Sequence, residues 1–187
     1  YNFYNEERVD PEYLKINPGG SFPTVDDDGL ILTESGAAIN HILRKYGSGR
    51  FQPKSIVDQA MVDQWCFWSE GNFAIQQRYF WDHSVPKPAC ISDPIDSIGM
   101  EGKRQAIKYA LQLELALQDS GYMVGDDLTA ADFMLCFPLY LADEAGWFET
   151  RPKIRAYLGR IKARPAFQEA IVHDNEEALK TIFEDPN

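Results

Sequence analysis

The first quarter of the chain contains short apolar segments separated by turn-forming residues. Segments 22–25 and 30–33 flank residues 26–29, Asp-Asp-Asp-Gly, whose Asp-Gly pair is favoured in tight hairpin turns. The pattern therefore predicts a β-hairpin. Over 36–46 the apolar residues recur at helical spacing, and Gly47 follows where helices commonly end, so we expect a helix there.

Beyond a linker at 48–56, which contains Gly and Pro, the apolar residues follow the helical period throughout. Five helices are predicted, over 57–81, 98–118, 129–143, 152–163 and 165–173. The second of them carries Leu111, Leu113, Leu115 and Leu117, a density that predicts packing against more than one neighbour. The pattern thus predicts a short α/β segment followed by an all-helical one.

The helix predicted at 129–143 has an explicit start signal. Thr129 and, three residues later, Asp132 match the capping-box pattern, with Asp in place of Glu or Gln. Leu128 and Phe133 occupy the positions of a hydrophobic staple. We expect a folding device worth about 1 kcal/mol at the start of a core helix.

The composition is that of a packed globular protein. Of 187 residues, 44% are hydrophobic and 25% are charged, which excludes a disordered chain. The formal net charge of −11 argues against a nucleic-acid partner, because binding to phosphates requires a basic surface. The longest apolar stretch, 133–142, has about half of the ~20 residues that a membrane-spanning helix needs, so no membrane association is expected.

Cysteines and histidines are few and scattered. Cys66, Cys90 and Cys136 are odd in number and form no C-x-x-C pair, which favours reduced thiols and a cytoplasmic location. The first seven residues lack the basic and apolar regions of a signal peptide. The three histidines show no metal-ligand spacing, so no metal cofactor is expected.

Candidate chemistry begins at Glu34 and Ser35, just before the helix predicted at 36–46. The Ser35 hydroxyl and the first-turn amides at a helix N-terminus can bind a carboxylate, assisted by the helix dipole. Glu34 can accept from an ammonium group, so the pair could hold an amino-acid head group. The alternative is an ordinary serine cap preceded by an exposed glutamate.

The Phe22-Pro23 dipeptide lies where the first predicted strand begins. An X-Pro bond in such a turn is a candidate for the cis isomer, which would turn the Phe22 main chain outwards. That main chain could then pair with the backbone of a bound peptide, as an added strand does. A plain turn proline is the alternative.

At this point the chain resembles a known family. Residues 11–25 and 28–39 closely resemble the glutathione-binding half of glutathione transferases, and 125–133 resembles the helical-domain motif of that family. Arg164-Pro165-Ala166-Phe167 resembles its usual ending. The resemblance covers essentially the whole chain in the right order, and the run around Pro138 looks most like fungal and bacterial members.

The resemblance implies a fold class of α/β plus all-α. A thioredoxin-like N-terminal domain, incomplete here, would span 1–47, the linker 48–56, and an all-helical domain 57–187. The implied function is activation of the glutathione thiol for attack on a small electrophile by a cytoplasmic homodimer, a detoxification role. Glutathione would be the co-substrate, and conjugation, peroxide reduction or disulfide reduction the possible reactions.

Site residues also follow from the resemblance. It implies that the main chain of Phe22, ahead of a cis Pro23, pairs with the cysteinyl part of glutathione. Glu34 and Ser35 would hold the γ-glutamyl ammonium and carboxylate. Relatives often place a long polar side chain near the glycyl carboxylate, and here Lys15 or Ser21 would have to serve. By analogy, three residues of the first long helix would line the acceptor pocket: Phe73, Gln77 and Phe80.

The residue that activates the thiol is not assigned. In the family it lies where the first strand meets the first helix, whereas this chain begins at about the second strand. Tyr1, Tyr4 and Ser21 do not match that position. Two alternatives stay open: a non-catalytic glutathione-binding or regulatory module of the same fold, and an interaction domain fused to a translation or assembly factor.

Overall fold

The computed structural model describes residues 9–84, 94–119 and 121–173. Tyr1, Tyr4, Cys90 and the segment after residue 173 lie outside the described residues. In chain order the elements are α1 (Pro11–Ile16), β1 (Val25–Asp27), β2 (Leu30–Leu32), α2 (Ser35–Tyr46), α3 (Ile56–Trp68), a π-helical segment (Ser69–Ala74), α4 (Ile75–Ser84), α5 (Asp96–Ala116), α6 (Ala130–Glu144), α7 (Pro152–Lys162) and α8 (Pro165–His173).

The predicted hairpin is confirmed, with shorter strands and a tighter turn. Strands β1 and β2 pair antiparallel, with Val25 opposite Leu32. Asp28 and Gly29 form the whole turn, with φ angles of 55° and 88°. Both values lie in the left-handed region, which Asp tolerates and Gly adopts freely, so a two-residue turn suffices where four residues were expected. The first strand therefore begins at Val25, and Phe22 and Pro23 lie before it.

Asp27 joins the hairpin to helix α2. Its carboxylate accepts from Lys45 Nζ at 2.7 Å, from Tyr46 Oη at 2.5 Å and from His41 Nε2 at 2.5 Å. These hydrogen bonds, led by that of Lys45, hold the pKa of the Asp27 carboxyl well below its usual range. The α2 face that carries the three donors is thereby held against β1.

The predicted long helix over 57–81 is confirmed as a continuous helical stretch, but its middle is not α-helical. The chain is helical from Ile56 to Ser84, but it widens into a π-helix over Ser69–Ala74. A π-helix accommodates an extra residue in the turn and is found frequently at functional sites. Both α3 and α4 pack against the rest of the bundle.

Helix α6 is the centre of the helical part. It packs against α2, α3, the π segment and α7. Most of its residues are buried, and the surrounding core consists mainly of aromatic and aliphatic side chains: Trp65, Phe73, Leu113, Leu117, Leu135, Leu139, Phe148, Ile154, Tyr157 and Leu158. Burying a stripe of this kind from each helix is the main source of stability in such a bundle.

The predicted capping box at the start of α6 is confirmed. Thr129 is the N-cap, and its backbone N–H donates to Asp132 Oδ2 at 2.8 Å. The same buried carboxylate accepts from the Met123 N–H at 2.8 Å and from the Tyr157 hydroxyl at 2.7 Å. Asp132 therefore connects the loop before α6, the first turn of α6 and helix α7.

The expectation that helix α5 packs against more than one neighbour is confirmed, since it contacts α4, the π segment and α7. Leu113 and Leu117 are buried, whereas Leu111 and Leu115 are 46% and 75% exposed. Helix α5 packs through its small-residue side, because a Cβ at Gly102 would lie only 2.6 Å from the Gln76 carbonyl oxygen of α4. Within the described ranges, no helix is both long enough and apolar enough to cross a membrane.

Candidate functional site

A cavity of about 660 Å³ lies between the N-terminal half of α2 and helix α3. Glu34 and Ser35 are part of its wall, so the structure brings these two predicted residues together. The other lining residues come from α2, α3, the π segment and α6: Gly36, Ala37, Asn40, His41, Arg44, Asp63, Cys66, Phe67, Glu70, Gly71 and Met134.

The N-terminus of α2 opens onto this cavity. Ser35 is the first helical residue, and Glu34, in extended conformation, is the N-cap. Glu34 caps through its main chain, since its carbonyl accepts from the Ala38 N–H at 2.9 Å, and its carboxylate does not cap the helix. The amides of the first turn therefore remain available to an anion from the cavity, where the helix dipole is favourable. The alternative of an ordinary serine cap at Ser35 is wrong.

Carboxylates line both sides of the same cavity. Glu34 lies on the α2 side, and Glu70 lies on the π segment opposite. Partial burial, and then the charge of Glu34, raise the pKa of the Glu70 carboxyl. A cationic group between the two carboxylates would relieve this repulsion, while the α2 amides suit an anionic group. The cavity is thus complementary to a molecule with an ammonium and a carboxylate close together.

The lining residues from α3, the π segment and α6 were not predicted from the sequence. Asp63, Glu70 and Met134 are separated from Glu34 by many residues and reach the cavity through helix packing. On α2 a signal was present, because Gly36, Asn40 and the following residues at helical spacing share the face of Ser35. That face could have been read as one wall of a site.

Phe22 and Pro23 lie in the segment before β1, and neither lines this cavity. The bond between them is cis, and the Phe22 ring lies 5.0 Å from that of Tyr13. The Ser21 carbonyl accepts from the Tyr13 hydroxyl and from Asn17 Nδ2, the latter at 2.8 Å. This loop is held by α1 through buried polar contacts.

Lys15 and Ser21 are also outside the lining of the cavity. Lys15 is exposed on α1, and its ammonium donates to Glu12 at 2.5 Å. The Ser21 hydroxyl accepts from Asn17 Nδ2 at 3.3 Å. Of the six residues predicted to bind glutathione, the cavity therefore contains Glu34 and Ser35.

The three residues predicted for the acceptor pocket make packing contacts instead. Phe73 is fully buried and stacks on Trp68 at 5.6 Å between ring centroids. Gln77 is buried and donates to the Pro138 carbonyl at 2.9 Å. Phe80 packs edge to face against Trp147 at 5.1 Å. None of the three lines either this cavity or the apolar one described next.

An apolar cavity of about 740 Å³ lies where α6, α7 and α8 meet the linker. Its wall is largely aromatic, with Phe133, Phe137 and Phe167 among the lining residues, and Arg164 contributes a charge. Staple residue Leu128 also lines it. Across residues 9–84, 94–119 and 121–173, no group of His, Cys, Asp or Glu is arranged to hold a metal ion.

We predict that Cys66 and Cys136 are labelled slowly by iodoacetamide in the folded protein. Burial, followed by nearby carboxylate charge, raises the pKa of each thiol to about 11. Because an ordinary thiol has a pKa of about 8.5, their thiolate fraction at neutral pH should be roughly 300-fold lower. Peptide mass spectrometry measures the labelling rate at each cysteine.

Labelling in urea provides the control for these two cysteines. Unfolding restores an ordinary thiol pKa, so both residues should then react at the rate of a free cysteine. Equal rates in the folded and the unfolded protein at either residue would contradict the prediction.

Comparisons with known proteins agree with the fold. Residues 1–44 match the family model for the glutathione S-transferase N-terminal domain, and residues 102–171 match a model for the C-terminal domain. Glutathione S-transferase 3 of Schizosaccharomyces pombe is 29% identical, covering 95% of this chain and 77% of the relative. Probable glutathione S-transferase GSTF1 of Oryza sativa is 30% identical, covering 86% of this chain and 76% of the relative.

Solved structures show the same fold. Gtt2 from Saccharomyces cerevisiae matches with a TM-score of 0.78 and 20% identity, covering 90% of this chain and 84% of that one. Ure2p in complex with glutathione matches with a TM-score of 0.79 and 23% identity, covering 91% of this chain and 83% of that one. The class is thus a thioredoxin-like N-terminal domain followed by an all-helical domain. By its relatives, the chain belongs to the glutathione S-transferase family and is a glutathione transferase.

Proposed function

We propose that the protein binds glutathione with its γ-glutamyl end in the cavity beside α2. The observation that carries the proposal is that the Glu34 carboxylate and the first-turn amides of α2, which no side chain caps, lie on one cavity wall. The Ser35 hydroxyl and amide accommodate the γ-glutamyl carboxylate, and Glu34 accepts from the ammonium. These are the charges that a helix N-terminus and a carboxylate prefer.

The rest of glutathione extends towards the loop before β1. The Phe22 main chain, ahead of the cis Pro23, pairs with the cysteinyl backbone in this proposal. Lys15 or Ser21 contacts the glycyl carboxylate. Because Phe73 and Gln77 are buried in the core, we place no acceptor contact at these two residues or at their neighbour Phe80.

The chemistry is nucleophilic substitution by the glutathione thiolate. The thiol first loses its proton to solvent, a step that requires a pKa below the free value of about 8.5. With an aryl halide, the sulfur then forms a bond to the ring carbon, and the halide leaves with the bonding electron pair. With a mixed disulfide, the thiolate attacks one sulfur and releases the other as a thiolate.

An activity assay tests the proposal. We expect the protein to accelerate conjugation of glutathione with a chlorodinitrobenzene, measured by absorbance of the product, and to do less with cysteine at the same concentration. Cysteine has the thiol but lacks the γ-glutamyl and glycyl groups that the site binds. Equal acceleration with both thiols would contradict the assigned site.

A second assay separates the enzyme from a non-catalytic module. Calorimetric binding of glutathione without acceleration of conjugation or of disulfide exchange would indicate a binding or regulatory role. The nitrogen regulation fragment of the yeast prion protein Ure2p shares the fold, with a TM-score of 0.79 and 21% identity. Catalysis by this chain would exclude the non-catalytic alternative.

We further propose a detoxifying, cytoplasmic homodimer with domains at 1–47 and 57–187. Apolar side chains on α3 support the association of two copies, since Ile56, Val57 and Phe67 are 83%, 67% and 78% exposed. Free thiols at Cys66 and Cys136 support a reducing compartment.

A further inference from the structure

Helix α6 contains a proline that interrupts the hydrogen bonds of the helix close to the proposed glutathione site. Pro138 lies inside α6 and has no N–H. The carbonyl four residues earlier, that of Met134, consequently lacks its usual partner within the helix. A buried carbonyl without a donor is costly, so a donor from elsewhere is expected.

Ser69 supplies that donor. Its hydroxyl, which is fully buried, donates to the Met134 carbonyl oxygen at 2.8 Å. Ser69 is also the first residue of the π segment, so the bond joins the π segment to α6 at the point where both helices are irregular.

Both ends of this hydrogen bond adjoin the cavity beside α2. On the α6 side, Met134 lines the cavity close to the first turn of α2, since a Cβ added at Gly36 would lie 3.7 Å from Met134 Cε. On the other side, Glu70 and Gly71 directly follow Ser69 and line the opposite wall. The Ser69 hydroxyl thus connects the part of α6 beside the first turn of α2 to the π segment, which carries Glu70.

We propose that Ser69 is a positioning residue for the glutathione site. Its hydroxyl fixes the π segment relative to α6, and this sets the separation between Glu70 and the first turn of α2 into which the γ-glutamyl group fits. The assignment rests on the proposed function, since it concerns that same site. Ser69 does not touch the substrate and acts through Met134 and Glu70.

A double-mutant cycle separates positioning from a purely structural role. In Pro138→Ala, α6 regains an N–H for the Met134 carbonyl, so Ser69→Ala no longer leaves that carbonyl without a donor. Four proteins are compared: wild type, Ser69→Ala, Pro138→Ala and the double variant. Calorimetry gives the Kd for glutathione, and urea denaturation gives the unfolding midpoint.

We expect Ser69→Ala to raise the Kd for glutathione about fivefold and to lower the urea midpoint. In the double variant the midpoint should return to that of Pro138→Ala, whereas the Kd stays about fivefold above that of Pro138→Ala. The double variant folds even if Ser69→Ala does not, because its buried carbonyl has a partner. Ser69→Thr keeps the hydroxyl and should bind glutathione within about twofold of wild type.

Two results overturn the assignment alone. One is a Kd in Ser69→Ala equal to that of the wild type, and the other is a double variant whose Kd equals that of Pro138→Ala. Either would show that the hydroxyl only satisfies the carbonyl. A wild-type protein that binds no glutathione would overturn the proposed function, and the role of Ser69 with it.

Tyr157→Phe serves as the matched control. It removes another buried hydroxyl donor, the one that donates to Asp132 at 2.7 Å on the far side of α6. We expect it to lower the urea midpoint without changing the Kd for glutathione. A rise in Kd with Tyr157→Phe equal to that with Ser69→Ala would mean that any loss of stability weakens binding, and would contradict a specific role for Ser69.

Discussion

Ser35→Ala should weaken glutathione binding by roughly 10- to 100-fold. The substitution removes one hydroxyl donor to the γ-glutamyl carboxylate, and a hydrogen bond to a charged group contributes about 1.5–3 kcal/mol. The helix itself should persist, because Glu34 caps α2 through its main chain and alanine favours a helix. Calorimetric titration of the protein with glutathione measures the change.

Ser55→Ala is the matched control for this substitution. Ser55 is the N-cap of α3 and accepts from the Asp58 N–H at 3.0 Å, but it lies outside the cavity. We expect Ser55→Ala to cost about 1 kcal/mol of stability and to leave glutathione affinity unchanged. Similar losses of affinity in both variants would contradict a direct contact between Ser35 and glutathione.

Glu34→Gln tests the other half of the same contact. The amide retains the shape of the carboxylate but not its charge, so the ammonium loses its ionic partner, and a comparable loss of affinity is expected. Glu101→Gln, on the exposed face of α5, removes a charge that pairs with Arg104 and should not affect binding. An unchanged affinity in both Ser35→Ala and Glu34→Gln would reject the site.

The second large effect is on stability. Asp132→Ala should lower the free energy of unfolding by roughly 3–5 kcal/mol, because four buried donors lose their acceptor at once. These donors are the Met123 and Thr129 amides and the Tyr157 hydroxyl, at 2.7–2.8 Å from the carboxylate, and the Thr129 hydroxyl at 3.1 Å. The capping box of α6 is lost as well. Urea denaturation measures the loss.

A graded series checks this account of Asp132. Tyr157→Phe removes a single donor and leaves the carboxylate in place, so it should cost about 1 kcal/mol. Thr129→Ala removes the N-cap side chain and should also cost about 1 kcal/mol. If Asp132→Ala lost no more stability than either of these variants, the carboxylate would not be the shared acceptor that the geometry indicates.

Local signals in the chain were sufficient for much of the fold. The start of α6 was predictable because a capping box involves residues only three apart, and Thr129 and Asp132 form it as expected. The hairpin turn was predictable because Asp28 and Gly29 suit positive φ angles wherever they occur. Strand bounds were less accurate, since pairing with β2 decides where β1 begins.

Predictions that depended on which side of a helix is covered were less reliable. Leu111 and Leu115 have the same spacing as buried residues, yet they are exposed, because no described element covers that side of α5. Phe73 and Gln77 were expected at a pocket and lie in the core, where Phe73 stacks on Trp68 and Gln77 donates to the Pro138 carbonyl. The spacing of apolar residues shows which side chains share one face of a helix. It does not identify the element that packs against that face.

The sequence by itself determined the family and predicted the α2 side of the proposed site. Glu34 and Ser35 are adjacent, and a helix N-terminus needs no distant residue to attract a carboxylate. Only the tertiary structure decided the rest of the cavity. Glu70 and Met134 come from segments far along the chain, and the packing of α6 on α2 and on the π segment places them beside that N-terminus. Such contacts depend on how helices pack, which short-range patterns of residues do not specify.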